Sequence, residues 1–147
     1  MRVRIRLPAL RRVLFLVVLL AAVAVLAENG RDFAGWYDMR NVTDLGDQVQ
    51  VTITLRVFNF SGADVADATI TLWDSVQPGV AYGSFPLASI AYRDNARLAA
   101  NFTVPKSEYD SWHQGKQPNL QVNFTDGAAN SVQRPVELSW MPMGGEE

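Results

Sequence analysis

The chain has no cysteine and only one histidine, His113. The first absence excludes disulfides, thiolate metal sites and thiol catalysis. An oxidising compartment is therefore tolerated but not exploited. Together the two leave zinc without its usual ligands. No Gly-x-Ser-x-Gly elbow presents a nucleophile. No glycine loop suited to phosphate occurs, since Gly144-Gly145 belongs to the terminal stretch. No Asp-x-Asp-x-Asp-Gly run marks a calcium loop. No long stretch carries a convincing 3.6-residue hydrophobic period.

A length of 147 residues suits one domain behind a short leader. Met1 to Arg12 holds five arginines and no acid, and Val13 to Ala27 is an unbroken apolar run of fifteen residues. Polar Glu28-Asn29-Gly30 follows. A basic start, a short apolar run and small residues at Val25 and Ala27 predict an export signal helix over 1–27, cut after Ala27. As a helix the run would rise about 22 Å, short of the roughly 30 Å of a bilayer core. An uncleaved anchor is the alternative. It would keep the arginines inside the cell and the domain outside, so both readings export the domain to the periplasm, the cell surface or the medium. Membrane contact is then expected only through the N-terminal segment, and only if it is uncleaved. Without the leader, 8 basic residues face 15 acidic ones, a net charge of −7. Such a domain repels phosphate backbones and has no basic stripe, so nucleic acid is excluded as a partner.

The rest of the chain alternates with period 2. In Asp47–Val57, Val49, Val51, Ile53, Leu55 and Val57 share one face while Gln50, Thr52, Thr54 and Arg56 share the other. That is a strand with one dry side. Phe58-Asn59-Phe60 breaks the alternation before Ser61-Gly62, which predicts a bulge near Phe58. Ala68–Asp74 alternates again and sends Trp73 to the face opposite Ile70 and Leu72. Residues 80–87 carry Gly83 and Pro86, which suits an edge strand or a loop. Further strands are expected over 96–104, 120–125 and 132–140, and residues 33–42 could supply one more. Residues 141–147 read as a frayed tail. Asn41, Asn59, Asn101 and Asn123 head glycosylation-type triplets. The simpler reading puts Asn and Thr on the wet face of a strand, with the Phe of the Asn59, Asn101 and Asn123 triplets inward.

About seven strands with turn signals at short spacing predict an all-β sandwich over 28–140. At the level of architecture, "VQVTITLRVFNFSGADVADATITLWD" and "LAANFTVPKSEYDSWHQGKQPNLQVNF" resemble the immunoglobulin-like and fibronectin-type modules of secreted bacterial proteins. The resemblance implies an immunoglobulin-like β-sandwich and carries no activity with it.

Chemistry-bearing residues concentrate in Val104–Gly115. Pro105 ends a strand. Ser107, with Asp110 three residues on, has the spacing of a helix cap, and Gly115 suits a helix end. A short helical turn is expected near 107–114, with Tyr109 and Trp112 plugging the end of the sandwich. His113 as a general base would need Glu108 or Asp110 to orient it, and neither is well placed. An exposed or partner-contacting imidazole is the expectation. Asp44, Asp47, Asp64, Asp67 and Asp74 could serve calcium, but aspartate is equally a turn residue. No cofactor is expected, calcium being the only alternative considered. Sugars bind flat rings, and Trp36, Tyr37, Trp73, Tyr82, Tyr92 and Trp112 are available, with Trp73 the most suggestive by its parity. The contacts named for a partner or ligand are Trp73, Trp112, Tyr109, His113 and Trp36. The expected role is an exported, non-catalytic structural or protein-binding module of the cell envelope. The alternative is a small carbohydrate-binding module using exposed aromatic side chains.

Overall fold

The computed structural model describes residues 32–140. The expected signal at 1–27 and the tail at 141–147 lie outside the described residues. Eight strands and one helix follow in order: β1 (Phe33–Asp44), β2 (Gln48–Asn59), β3 (Val65–Trp73), β4 (Ala81–Ser84), β5 (Ala88–Ile90), β6 (Asn95–Pro105), α1 (Lys106–His113), β7 (Asn119–Thr125) and β8 (Ser131–Trp140). The chain is an all-β sandwich, as the alternation predicts. Among the described residues there are eight strands rather than about seven, because residues 81–90 form two short strands around the buried Phe85.

The strand order is β4-β3-β7-β8-β1-β2-β6, and β5 also pairs with β3. Every pairing is antiparallel except β1 with β8. Strand β8 belongs to both layers. Its first half, Ser131–Pro135, lies against β7; its second half, Val136–Trp140, runs parallel to β1. Pro135 sits at the changeover, where a residue without an N–H interrupts one ladder at least cost.

The inward residues of β2 meet those of β3 and β7 in one core. Val51, Ile53, Leu55, Val57, Ala68, Ile70, Leu72 and Val122 are all buried. Each large aliphatic side chain among them contributes about 1.5–3 kcal/mol of burial free energy. Aromatic pairs join the layers edge to face. Phe33 of β1 meets Phe124 of β7 at 5.6 Å, and Phe85 meets Phe102 of β6 at 5.2 Å.

At the end of β2 the expected bulge does not form. The β2–β6 register runs unbroken from Gln48↔Pro105 to Phe58↔Asn95. The alternation continues through Asn59, which takes the inward position and is 0% exposed, while Phe60 is 50% exposed. This reverses the expected orientation of the Asn59-Phe60-Ser61 triplet. Hydrogen bonding explains it. Asn59 Nδ2 donates to the Ala63 and Ile90 carbonyls, both at 2.8 Å. Its Oδ1 accepts from Ser61 N at 2.9 Å and Ser61 Oγ at 2.6 Å. A buried amide with its capacity filled is stable where an unpaired one is not. At Asn101-Phe102 the expected orientation holds, with Asn101 exposed and Phe102 buried.

Helix α1 also departs from expectation at its start. Its N-cap is Pro105, with no side-chain hydrogen bond, so Ser107 is not the cap. Pro105 supplies the extended backbone, and Lys106 N donates to the Asp47 carbonyl instead. The end is as expected. Gly115 has φ +97°, and Lys116 N donates back to the Ser111 carbonyl at 3.1 Å, the left-handed stop that glycine favours.

Candidate functional site

Two of the five aromatic and imidazole candidates sit away from open surface. Trp112 is 5% exposed and belongs to the core cluster, so it plugs the sandwich as expected and offers no platform to a sugar. Tyr109 packs partly buried against the core and meets the Trp112 ring edge to face at 6.1 Å. Its hydroxyl is pushed up by burial, with Asp110 adding to the effect. His113 is exposed and lies edge-on to Tyr109 at 4.7 Å. No hydrogen bond among the described residues joins it to Glu108 or Asp110. Glu108 turns the other way: it is 6% exposed and accepts from Ser75 Oγ.

The five candidate calcium ligands do not converge. Asp44 accepts from Gly46 N at 2.8 Å and pairs with Lys106 Nζ at 2.6 Å. Asp64 accepts from Tyr92 N at 2.8 Å. Asp67 stands at φ +51°, its own N–H donated to Ser89 Oγ. Among the described residues no three His, Asp or Glu side chains gather as cation ligands.

Trp73 is the candidate that the structure surrounds with other polar groups. It is the last residue of β3 and points to the outer face, as its parity predicts. Opposite it in β7 is Asn119, and Thr71 lies opposite Gln121, which in turn faces Pro135 of β8. Gln133 is two residues before Pro135 on the same side of β8. Trp73, Asn119, Gln121 and Gln133, with Asp74, Pro78 and Gly79, line a cleft of about 430 Å³. Gln121 Nε2 donates to Asn119 Oδ1 at 2.9 Å, which orders the amide row. The indole Nε1 of Trp73 is buried and has no hydrogen-bond partner among the described residues. An orphaned donor of this kind costs about 1–3 kcal/mol.

The loop that walls the cleft is held by Asp74. Its Oδ1 accepts from Val76 N at 2.7 Å and Gln77 N at 2.6 Å, and its Oδ2 accepts from the Tyr82 hydroxyl. The Tyr82 bond, then the Gln77 and Val76 amides, hold the Asp74 carboxyl below the usual aspartate value. Tyr82 is pushed well up, first by burial and then by Asp74. Asp74 is therefore spoken for as the loop's anchor. From Thr69 onward, the outward side chains of β3, of β7 and of the first half of β8 are Thr, Trp, Asn, Gln, Ser and Pro, without a charge.

Sequence reasoning found Trp73 but missed Asn119, Gln121 and Gln133. Their outward parity was legible; their position beside Trp73 depends on the β3–β7–β8 register. The Ser75–Glu108 and Asp74–Tyr82 contacts left no local signal at all.

Trp36 lies on the outer face of the other layer, on β1. Its ring meets Phe58 at 5.0 Å, and the Arg56 guanidinium sits 5.7 Å from its centroid.

No family model matches the chain, and no curated protein matches it. Among solved structures, the chain is similar to an inactive mutant of a GH20 exo-β-N-acetylglucosaminidase from Vibrio harveyi, at 9% identity and a TM-score of 0.46. The likeness covers 79% of this chain and 19% of that one, so the chain spans about a fifth of the protein it resembles.

Proposed function

We propose that the chain is an exported, non-catalytic binding module, and that its Trp73 cleft takes a neutral saccharide. One observation carries the reading: the Trp73 ring stands at the end of an uncharged row of amides, Asn119, Gln121 and Gln133, in one cleft. Neutral sugars present hydroxyls that both donate and accept, together with flat C–H faces. Amides match the hydroxyls with their own donor and acceptor sites. The indole ring of Trp73 supplies the flat apolar face. An anionic or cationic ligand finds no counter-charge here except Asp74, which is already bonded.

The protein-binding role retains one supporting observation. Strand β4 ends the strand order, so its outer edge is unpaired, and open edges accept strands from partners. Strand β4, Ala81–Ser84, lies within residues 80–87, whose Gly83 and Pro86 suit an edge strand or a loop.

The test is isothermal titration of the purified chain with a panel of neutral oligosaccharides. Trp73→Ala should raise Kd about 30-fold, the effect of losing roughly 2 kcal/mol at a tryptophan contact. Gln121→Ala and Gln133→Ala should each weaken binding with an unchanged melting temperature, which separates recognition from folding. Binding indifferent to all three variants, or a panel without a single binder, would overturn the proposal.

A further inference from the structure

The sandwich has a second outer face, and its chemistry opposes that of the first. On the β1–β2–β6 layer, Arg56 and Arg97 lie directly opposite each other across the β2–β6 ladder. Like charges in that position destabilise a sheet. The arrangement is stranger still in a domain whose acids outnumber its bases by 15 to 8 beyond the leader. Among the described residues no acid pairs with either arginine. The ion pairs nearby take other partners, Arg40 with Asp38 at 2.7 Å and Lys106 with Asp44. Arg56 Nε donates to the neutral Asn95 Oδ1 at 2.9 Å. Both Arg56 Nη nitrogens, and the whole Arg97 guanidinium, have no hydrogen-bond partner among the described residues.

Arg56 is also oriented. Asn95 holds its Nε, and the Trp36 ring lies against the guanidinium. What remains is the end of the fork, the edge that matches a carboxylate with two parallel bonds. Beside the pair runs a strip of rings. Trp36 meets Phe58, and Phe58 stacks on the half-exposed Phe60 at 6.2 Å with only 5° between planes. On the other side of the pair, Thr52 Oγ1 donates to Asn101 Oδ1 at 2.7 Å in a shallow groove of about 370 Å³. Same-face residues along a strand are spaced about 6.7 Å. A chain laid along β2 would pass rings, then two cations, then hydroxyls and amides.

We propose that this face binds an acidic polysaccharide, with a uronate carboxylate between Arg56 and Arg97 and a neighbouring sugar ring over Phe58 and Phe60. Charge complementarity selects the carboxylate. Flat rings and the Thr52–Asn101 groove select a sugar polymer over a nucleic acid, whose phosphates would need many more cations against the net negative charge. The site is separate from the Trp73 cleft, and neither proposal depends on the other.

Titration of the full chain with oligogalacturonate tests it, with the methyl-esterified oligomer and poly-glutamate as comparators. Oligogalacturonate should bind and weaken with added salt, and the ester should not bind. Arg97→Ala and Arg56→Gln should each raise Kd roughly ten- to a hundredfold, the loss of a charged hydrogen bond. Arg97→Ala should leave the melting temperature unchanged or raised, since it relieves like-charge repulsion; a purely structural arginine would lower it. Trp73→Ala should leave this binding intact. The proposal is overturned by no binding to oligogalacturonate at millimolar concentration, by equal binding of the ester, by equal binding of poly-glutamate, or by an Arg97→Ala variant that binds as the parent does.

Discussion

Asn59 and Phe60 allow a test in which pattern and structure predict opposite outcomes. By residue type alone, Phe60 belongs inside and Asn59 outside; truncating Phe60 would then cost about 3–5 kcal/mol, as for a core phenylalanine. The structure exchanges the two. Asn59→Ala removes four side-chain hydrogen bonds and takes the amide donor from the buried Ile90 carbonyl, while the Ala63 carbonyl keeps the Ser61 hydroxyl at 3.2 Å. An unpaired buried acceptor costs about 1–3 kcal/mol, and bonds that water can replace cost about 0.5–1.5 kcal/mol. The expected loss is about 3–5 kcal/mol, a large share of the roughly 5–15 kcal/mol that holds a domain together. The backbone bonds of Asn59, to Asp94 O at 3.0 Å and from Arg93 N at 2.8 Å, survive the substitution, so the loss reports the amide alone. Phe60→Ala removes only a stacked contact at the surface and should cost under about 1 kcal/mol. Urea unfolding followed by tryptophan fluorescence, at constant slope, measures both. Asn59→Asp sharpens the test. The carboxylate keeps the shape but faces two carbonyls, so its folded pKa is raised above the unfolded value. Stability is then retained below the unfolded aspartate range and lost as pH rises through the folded value. Asn59→Asp should therefore be least damaging in acid. A cost below 1 kcal/mol for Asn59→Ala, or a larger one for Phe60→Ala, refutes the reasoning.

Two further outcomes follow from backbone approach and from titration. Gly35→Ala should cost about 1–3 kcal/mol, because its Cβ would press into the Arg56 carbonyl oxygen, a backbone atom that cannot turn aside; an unchanged urea midpoint would contradict this. Asp74, held below the ordinary aspartate value by the Tyr82 hydroxyl and the Gln77 and Val76 amides, contributes stability above the ordinary aspartate range that is lost as pH falls through its lowered value. The acid limb of the stability curve should be flatter in Asp74→Asn than in the parent, the difference isolating Asp74 from the lowered Asp44 and Asp126; parallel limbs would contradict the assignment.

How much was legible varies with the physics of each element. The inward set of β2 could be read directly, because period 2 reports burial on a sheet with one dry face. The helical turn, its Gly115 stop and the buried Trp112 plug were legible for local reasons. The Pro105 cap was not, because its key bond, Lys106 N to Asp47 O, joins residues 59 positions apart. The orientation of Asn59 failed for a related reason: beside Ala63, four residues on, its buried partner is the Ile90 carbonyl at the end of β5, 31 positions away. Hydropathy scores an amide as exposed because it cannot see partners that fold back from elsewhere.

The two proposed faces extend that argument. Alternation marks Trp73, Gln121, Arg56 and Arg97 as outward, but gives no neighbour to any of them. Neighbours come from register, and register comes from the core. A slip of one residue in β6 would turn Leu98 outward and drive Arg97 toward the interior. The free energy of burying Phe102 and Val104 forbids that slip. The same contacts that hold the sandwich closed therefore keep the two guanidinium groups side by side. Their mutual repulsion is a local cost that the core is strong enough to enforce. Beyond the Asn95 bond and the Trp36 ring at Arg56, nothing among the described residues offsets that cost, and this is the ground on which the pair is proposed as a binding face.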